Sequence, residues 1–187
     1  MRKQLDAQPG LFPMPVTVVA AYDESGTVQL MNAAWAQISS MQEIALFIDE
    51  DHATTKAIRQ TGAFTVSLAD VAHMKEADYV GIASGNKVHD KFARTGLTAA
   101  KAAHVNAPVI EEFPVCLECE LVGVTEGLVH AVIGKIVGVS ADEGVLDDEG
   151  RVDPAKLDAL VFDQFQSGYY AVGTKVGQAW SAGADLL

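Results

Sequence analysis

Two cysteines three residues apart form the most chemically suggestive spacing in this 187-residue chain. Cys116-x-x-Cys119 matches a redox dithiol or half of a zinc site. Its surroundings argue against both. Phe113–Val124 reads as a β-strand, where residues i and i+3 point to opposite faces with Cα atoms roughly 10 Å apart. A disulfide needs Cα atoms within about 7 Å, and no second C-x-x-C or H-x-x-x-H completes a zinc set. The pair therefore reads as buried structural thiols. The five histidines (His52, His73, His89, His104 and His130) make neither H-E-x-x-H nor a tight ligand cluster. No G-x-G-x-x-G follows a strand, and neither Gly81-Ile-Ala-Ser-Gly85 nor Gly173-Thr-Lys-Val-Gly177 matches a Walker loop. The acidic loop Asp147-Asp148-Glu149-Gly150 with Asp153 lacks EF-hand spacing and reads as solvated. No G-x-S-x-G elbow is present. The sequence thus predicts no metal site and no catalytic triad.

The elements that would carry any site are short and mostly β. Val16–Tyr22 is a β-branched apolar run, then Asp23-Glu24-Ser25-Gly26 gives a turn signal and Thr27–Met31 a return strand. Glu43–Asp49 and Ala63–Leu68 read as strands. Between them Thr54–Thr61 is helical, with Gly62 as its C-cap. Asp70–Ala83, opened by Asp70 as N-cap, and Asp90–Arg94 are the next helices. Phe113–Val124 and Leu128–Val139 are long strands joined by the turn Thr125-Glu126-Gly127. A short helix near Ala155–Leu160 and a strand over Tyr169–Val172 close the pattern. Irregular insertion of helices among closely spaced strands fits a mostly antiparallel barrel better than a doubly wound parallel sheet. The fold class expected is mainly β with inserted helices (α+β), in one domain over residues 1–187.

Composition narrows the partners. The chain is 49% hydrophobic, enough for a packed core, and its formal net charge is -12. So acidic a surface repels nucleic-acid phosphates and anionic membranes, and any bound anion must be held by local donors against the overall field. Val16–Tyr22 is far too short to span a bilayer, which takes about 20 residues. No signal-peptide core follows Arg2 and Lys3. A cytoplasmic protein with neither nucleic-acid nor membrane partners is expected.

A longer order of weak motifs is more specific than any one of them. Pro13-Met14-Pro15-Val16 leads the first strand, and Met31-Asn32-Ala33-Ala34-Trp35 with Ile38-Ser39-Ser40 follows the hairpin. Then come Thr54-Thr55-Lys56-x-Ile58, Gly62-x-Phe64-x-Val66, Ala77-Asp78-Tyr79-Val80-Gly81, and Ser84-Gly85 with Asp90-Lys91-Phe92. Gly96-Leu97-Thr98, Ala107-Pro108, Leu117-Glu118-Cys119, His130 with Ile133-Gly134-Lys135-Ile136-Val137, and Tyr170 with Gly173 complete the series. In this order, from about Pro13 to Gly183, the chain resembles the flavin-reductase-like, FMN-binding split β-barrel family, closest to its flavoredoxin branch. It departs from the family at Asn32, where Thr is common, and at Gln42 and Glu43, where two prolines are common.

The resemblance implies non-covalent FMN. Thr54, Thr55 and Lys56 offer hydroxyls, backbone N–H groups and a cation at a helix start, a donor set suited to the FMN phosphate. The same residues also suit plain N-capping with an exposed lysine. Asn32, Ala33 and Ala34 let backbone approach the polar edge of a flavin, and Trp35 either covers a ring face or fills core. Ser39 and Ser40 join this set. Lys91 stands where flavoredoxin-like relatives place a flavin-contacting lysine, and a solvated lysine is the alternative. His130 is either structural or near flavin or nicotinamide. Phe162, with Phe165 or Tyr170 as alternates, offers an aromatic edge or core. Two functions remain open: NAD(P)H-dependent reduction of FMN with electrons passed to free flavin or a partner protein, and a flavoredoxin-like electron carrier. A split barrel with a different ligand, as in pyridoxamine-phosphate oxidase relatives, is a third reading. The resemblance also implies a homodimer.

Overall fold

A computed structural model describes residues 1–125 and 129–186. Among the described residues twelve strands form three sheets, and every named pairing is antiparallel. The largest sheet contains β2 (Thr17–Tyr22), β3 (Val28–Ala33), β4 (Ala36–Ser40), β5 (Glu43–Leu46), β6 (Ala63–Leu68), β9 (Val115–Thr125) and β10 (Ala131–Ala141). Their spatial order is β3-β2-β6-β9-β10-β5-β4. β1 (Met14–Pro15), β11 (Leu160–Asp163) and β12 (Gly168–Ala171) make a second sheet, and β7 (Ala99–Lys101) pairs with β8 (Pro108–Ile110). Helices α1 (Ala53–Thr61), α2 (Met74–Ile82), α3 (Lys91–Thr95) and α4 (Pro154–Leu157) are inserted between strands. This is the mainly β split barrel that the sequence predicts. Among the described residues no helix is long and apolar enough to cross a membrane.

The unbroken apolar run of β2 follows from burial on both faces. Val19 and Ala21 face one core, with Ile44, Leu46, Ile58, Phe64, Val66 and Val132. Val18 and Ala20 face another, with Leu30, Ala77, Val80, Ile110 and Leu160. Period-2 alternation thus feeds two cores from one strand. The sheet curls where β10 breaks register against β9, between Ile133 and Gly134 and again between Ile136 and Gly138. At Gly134 an added Cβ would overlap the Phe64 ring, so glycine lets that ring lie against the strand.

The two cysteines are free and buried on opposite faces of β9: Cys119 in the first core, Cys116 on the wall of a separate cavity. Burial pushes the Cys119 thiol up to about 12 and that of Cys116 up as well.

Several boundaries differ from expectation. α2 starts at Met74, with His73 and not Asp70 at its N-cap position. Asp70 is held one turn earlier by a bridge to Ala159, and its carboxylate accepts from the His73 backbone N–H at 2.9 Å. The helix expected over Ala155–Leu160 stops at Leu157, because Asp158 turns left-handed (φ 47°) and Leu160 begins β11. β4, β7, β8 and β11 are strands that the sequence pattern does not announce. The expected turn through Glu126 and Gly127, and the strand start at Leu128, lie outside the described residues.

Candidate functional site

The end of β3, the start of α1, the end of α2 and the start of α3 converge on one cleft of about 380 Å³. β3 delivers Asn32, α1 delivers Thr54, and α3 delivers Lys91. The far wall is Gly81–Gly85, where α2 ends. Two glycines there allow close approach: a Cβ on Gly85 would lie 2.9 Å from the Ala53 Cβ, and one on Gly81 3.2 Å from the Asn32 Cβ.

Lys91 is the chemical centre of the cleft. Its side chain is buried, and Nζ donates to the Leu30 carbonyl at 2.7 Å. Among the described residues no carboxylate forms an ion pair with it. Burial alone pushes its pKa down to about 8, so the ammonium still dominates at neutral pH. The start of α1 adds to the positive field. Its N-cap, His52, makes no side-chain cap bond, and its first turn holds no acidic residue. The first backbone N–H groups and the dipole are therefore open to an anion. Thr54 is buried against the cleft, and its hydroxyl makes no hydrogen bond among the described residues.

A smaller cleft of about 210 Å³ adjoins this one through shared Asn32, Gly81 and Ile82. Phe162 and Tyr169 line it, with ring centroids 5.9 Å apart and planes at 56°. Tyr169 donates its hydroxyl to Asp78 Oδ1 at 2.9 Å. Burial and that carboxylate push the phenol up to about 12. Ala34 links this cleft to a third, of about 320 Å³, beside Trp35. Trp35 is half exposed and donates Nε1 to Gln164 at 3.1 Å.

The structure therefore gathers Asn32, Ala34, Thr54, Lys91 and Phe162 around two adjoining clefts, with Trp35 next door. It places others elsewhere. Thr55 is buried with its hydroxyl committed to the Asp49 carbonyl at 2.7 Å. Ala33 packs into the first core and accepts from Thr17 Oγ1. Lys56 is exposed and lines neither cleft. Ser39 and Ser40 are exposed on β4, and His130 is exposed before β10. Of the alternates to Phe162, Phe165 is exposed and Tyr170 packs edge-on against Phe12. Sequence reasoning assigns no role to Asp78, Tyr169 or Gly85. Asp78 and Gly85 lie inside quoted motifs, but nothing local says that Asp78 meets a tyrosine 91 positions later.

Residues 10–172 match the family described as flavin reductase like domain. The chain belongs to that family. The flavoredoxin of Desulfovibrio vulgaris (Miyazaki F) superposes with a TM-score of 0.93 at 39% identity, over 98% of this chain and 100% of that one. A putative flavin reductase with a split barrel domain from Shewanella frigidimarina shares the fold, with TM-score 0.79 and 22% identity over 89% and 85% of the two chains. A protein of Aeropyrum pernix is 31% identical over 65% of this chain. The match spans about half, 47%, of that relative's length. The flavin reductase like fold thus surrounds a cleft carrying one uncompensated buried cation.

Proposed function

We propose that the larger cleft binds FMN non-covalently and that the chain is a flavin oxidoreductase, reducing FMN with NADH or NADPH. Electrons then pass to free flavin or to a partner protein. The observation that carries this reading is Lys91, a buried ammonium without a counter-charge, set beside the open N-terminus of α1 in a flavin reductase like fold. Burying an unpaired charge is costly unless a partner arrives, and a phosphate dianion is such a partner. Thr54 and the first N–H groups of α1 complete its shell. Asn32, shared by both clefts, and Ala34 and Phe162, in the adjoining smaller one, border the space for the ring, with Trp35 near its rim. When bound, the flavin supplies the hydride acceptor, and the protein supplies position and electrostatics.

A second reading, a flavoredoxin-like electron carrier without nicotinamide activity, is favoured by the 39% likeness to flavoredoxin. The rest of the proposal is a single cytoplasmic domain acting as a homodimer. Exposed Trp35, Ile38, Met41 and Phe47, on or beside edge strand β4, support an apolar face for a second copy.

Visible absorption of the purified protein, before and after FMN and then NADH or NADPH, tests both readings. Flavin bands that bleach with nicotinamide support the reductase. Bands that stay oxidised favour the carrier. A colourless protein that ignores added FMN ends both.

A further inference from the structure

The larger cleft has two unlike ends. Through Asn32, Gly81 and Ile82 it runs on into the smaller cleft. At the other end His52, Ala53 and Thr54, from the start of α1, meet Ser84 and Gly85, from the loop after α2. Immediately beyond them Asn86 donates Nδ2 to the Asp51 carbonyl at 2.8 Å. Gly85 brings the loop down onto the helix start: a Cβ there would stand 2.9 Å from the Ala53 Cβ and 3.0 Å from Gln29 Oε1. Both partners of the Asn86 bond are held from within. The Ser84 carbonyl accepts from the Lys87 and Val88 N–H groups at 3.0 and 2.9 Å. Asp49 Oδ1 accepts from the Asp51 N–H at 3.1 Å. Asn86 is exposed, so its bond competes with water and adds little to overall stability. What it does fix is the distance between two segments 35 positions apart.

The structure assigns to Asn86 a positioning role in specificity: it ties the loop after α2 to the turn before α1, closing the cleft beyond the phosphate, so that the site takes a flavin ending in a phosphate monoester and shuts out one extended through a diester. A monoester ends at the donors that the cleft supplies, namely Lys91, the buried and unpartnered Thr54 hydroxyl and the first N–H groups of α1. A flavin dinucleotide brings less charge to those donors. It must also continue from that phosphate through a second one, a ribose and an adenine, across the place where Asn86 meets Asp51. This inference rests on the proposed function in taking the cleft for FMN.

Calorimetric titration of the flavin-free full chain with FMN and with FAD tests it. FMN is expected to bind at least about thirtyfold tighter than FAD. Asn86→Ala removes the tie with loss of volume, and Asn86→Leu removes the donor while keeping a similar shape. Both are expected to strengthen FAD by roughly 3–10-fold and to leave FMN within about threefold. A gain in affinity for the larger ligand is a result that damage to the fold does not produce. FAD binding as tightly as FMN to the unaltered chain overturns the closure and leaves the FMN reading standing. So does an unchanged FMN-to-FAD ratio in both variants, whether the two flavins hold their affinity or weaken together. Binding of neither flavin to the unaltered chain sinks the FMN reading, and the closure with it.

Discussion

Lys91 Nζ lies 2.7 Å from the Leu30 carbonyl oxygen, so the one buried lysine of the cleft is anchored by a neutral group and not by an acid. A carbonyl fixes the position of the ammonium but leaves its charge unbalanced. The anchor also spans the site, because Leu30 is on β3 and Lys91 opens α3. The cation is therefore held in place before any ligand arrives, and a bound anion need not pay for its ordering.

Replacing it should separate stability from binding. Lys91→Met keeps the apolar stem and removes the desolvated charge. The flavin-free protein is expected to gain about 1 kcal/mol, raising its melting temperature by roughly 2–4 °C. FMN affinity is expected to fall about tenfold or more through loss of a charge-assisted contact. Calorimetry and a fluorescence titration read the two effects. A variant that is less stable and binds FMN normally would show that Lys91 is structural.

The same residue dictates a pH window. Its pKa falls from the ordinary 10.5 to about 8 in the folded chain, so between those values the unfolded chain binds more protons. Stability from this group is therefore fully present above 10.5 and is lost as pH falls through 8. Urea midpoints of flavin-free protein should show a rising contribution from pH 8 to 10.5 that Lys91→Met lacks. FMN affinity should move the other way, weakening above pH 8 as the ammonium deprotonates. Identical pH profiles for the two proteins would falsify the assignment.

Gly134 tests the packing that bends the barrel. A Cβ there would overlap the Phe64 ring and lie 3.2 Å from the Cys119 Cβ, inside a core without room to yield. Gly134→Ala is expected to cost about 1–3 kcal/mol. Gly123, on neighbouring β9, has open space where an added methyl would stand, and Gly123→Ala should stay within about 0.5 kcal/mol. Equilibrium urea unfolding compares them directly, and equal losses would remove the ring contact as the reason for glycine at 134.

What was legible in the sequence followed strong local patterns. The β2 run, the Asp23–Gly26 turn and the Gly62 cap are each set by a few neighbouring residues, and the structure places all three as expected. β4 is not legible in the sequence because Ala-Gln-Ile-Ser-Ser is an exposed edge strand, polar enough to read as loop. Asp70 has the mark of an N-cap because its side chain does accept from the His73 N–H, while its backbone is pinned by Ala159, far away in sequence. The site shows the same division. Thr54 and Lys91 carry a readable residue type at a readable position. The pairing of Asp78 with Tyr169, and the apolar or exposed settings of Ala33, Ser39 and Lys56, depend on tertiary neighbours that no local spacing encodes.

Adjacent threonines give the sharpest test of that division. Thr54 and Thr55 are both buried in the first turn of α1, and by sequence they are equivalent phosphate donors. Their hydroxyls differ in the fold: Thr55 donates to the Asp49 carbonyl at 2.7 Å, whereas Thr54 faces the cleft with no partner among the described residues. Valine preserves shape and β-branching at either position, so each substitution removes little beyond a hydroxyl. Thr55→Val leaves the Asp49 carbonyl with only the His52 N–H, at 3.3 Å, and is expected to destabilise by about 1 kcal/mol with FMN affinity unchanged. Thr54→Val is expected to leave stability within about 0.5 kcal/mol and to weaken FMN about tenfold. Urea unfolding and a fluorescence titration on both variants decide it. If Thr55→Val alone weakens FMN, the phosphate lies deeper along α1 than the cleft beside Lys91 allows, and the shell assigned to it must be redrawn.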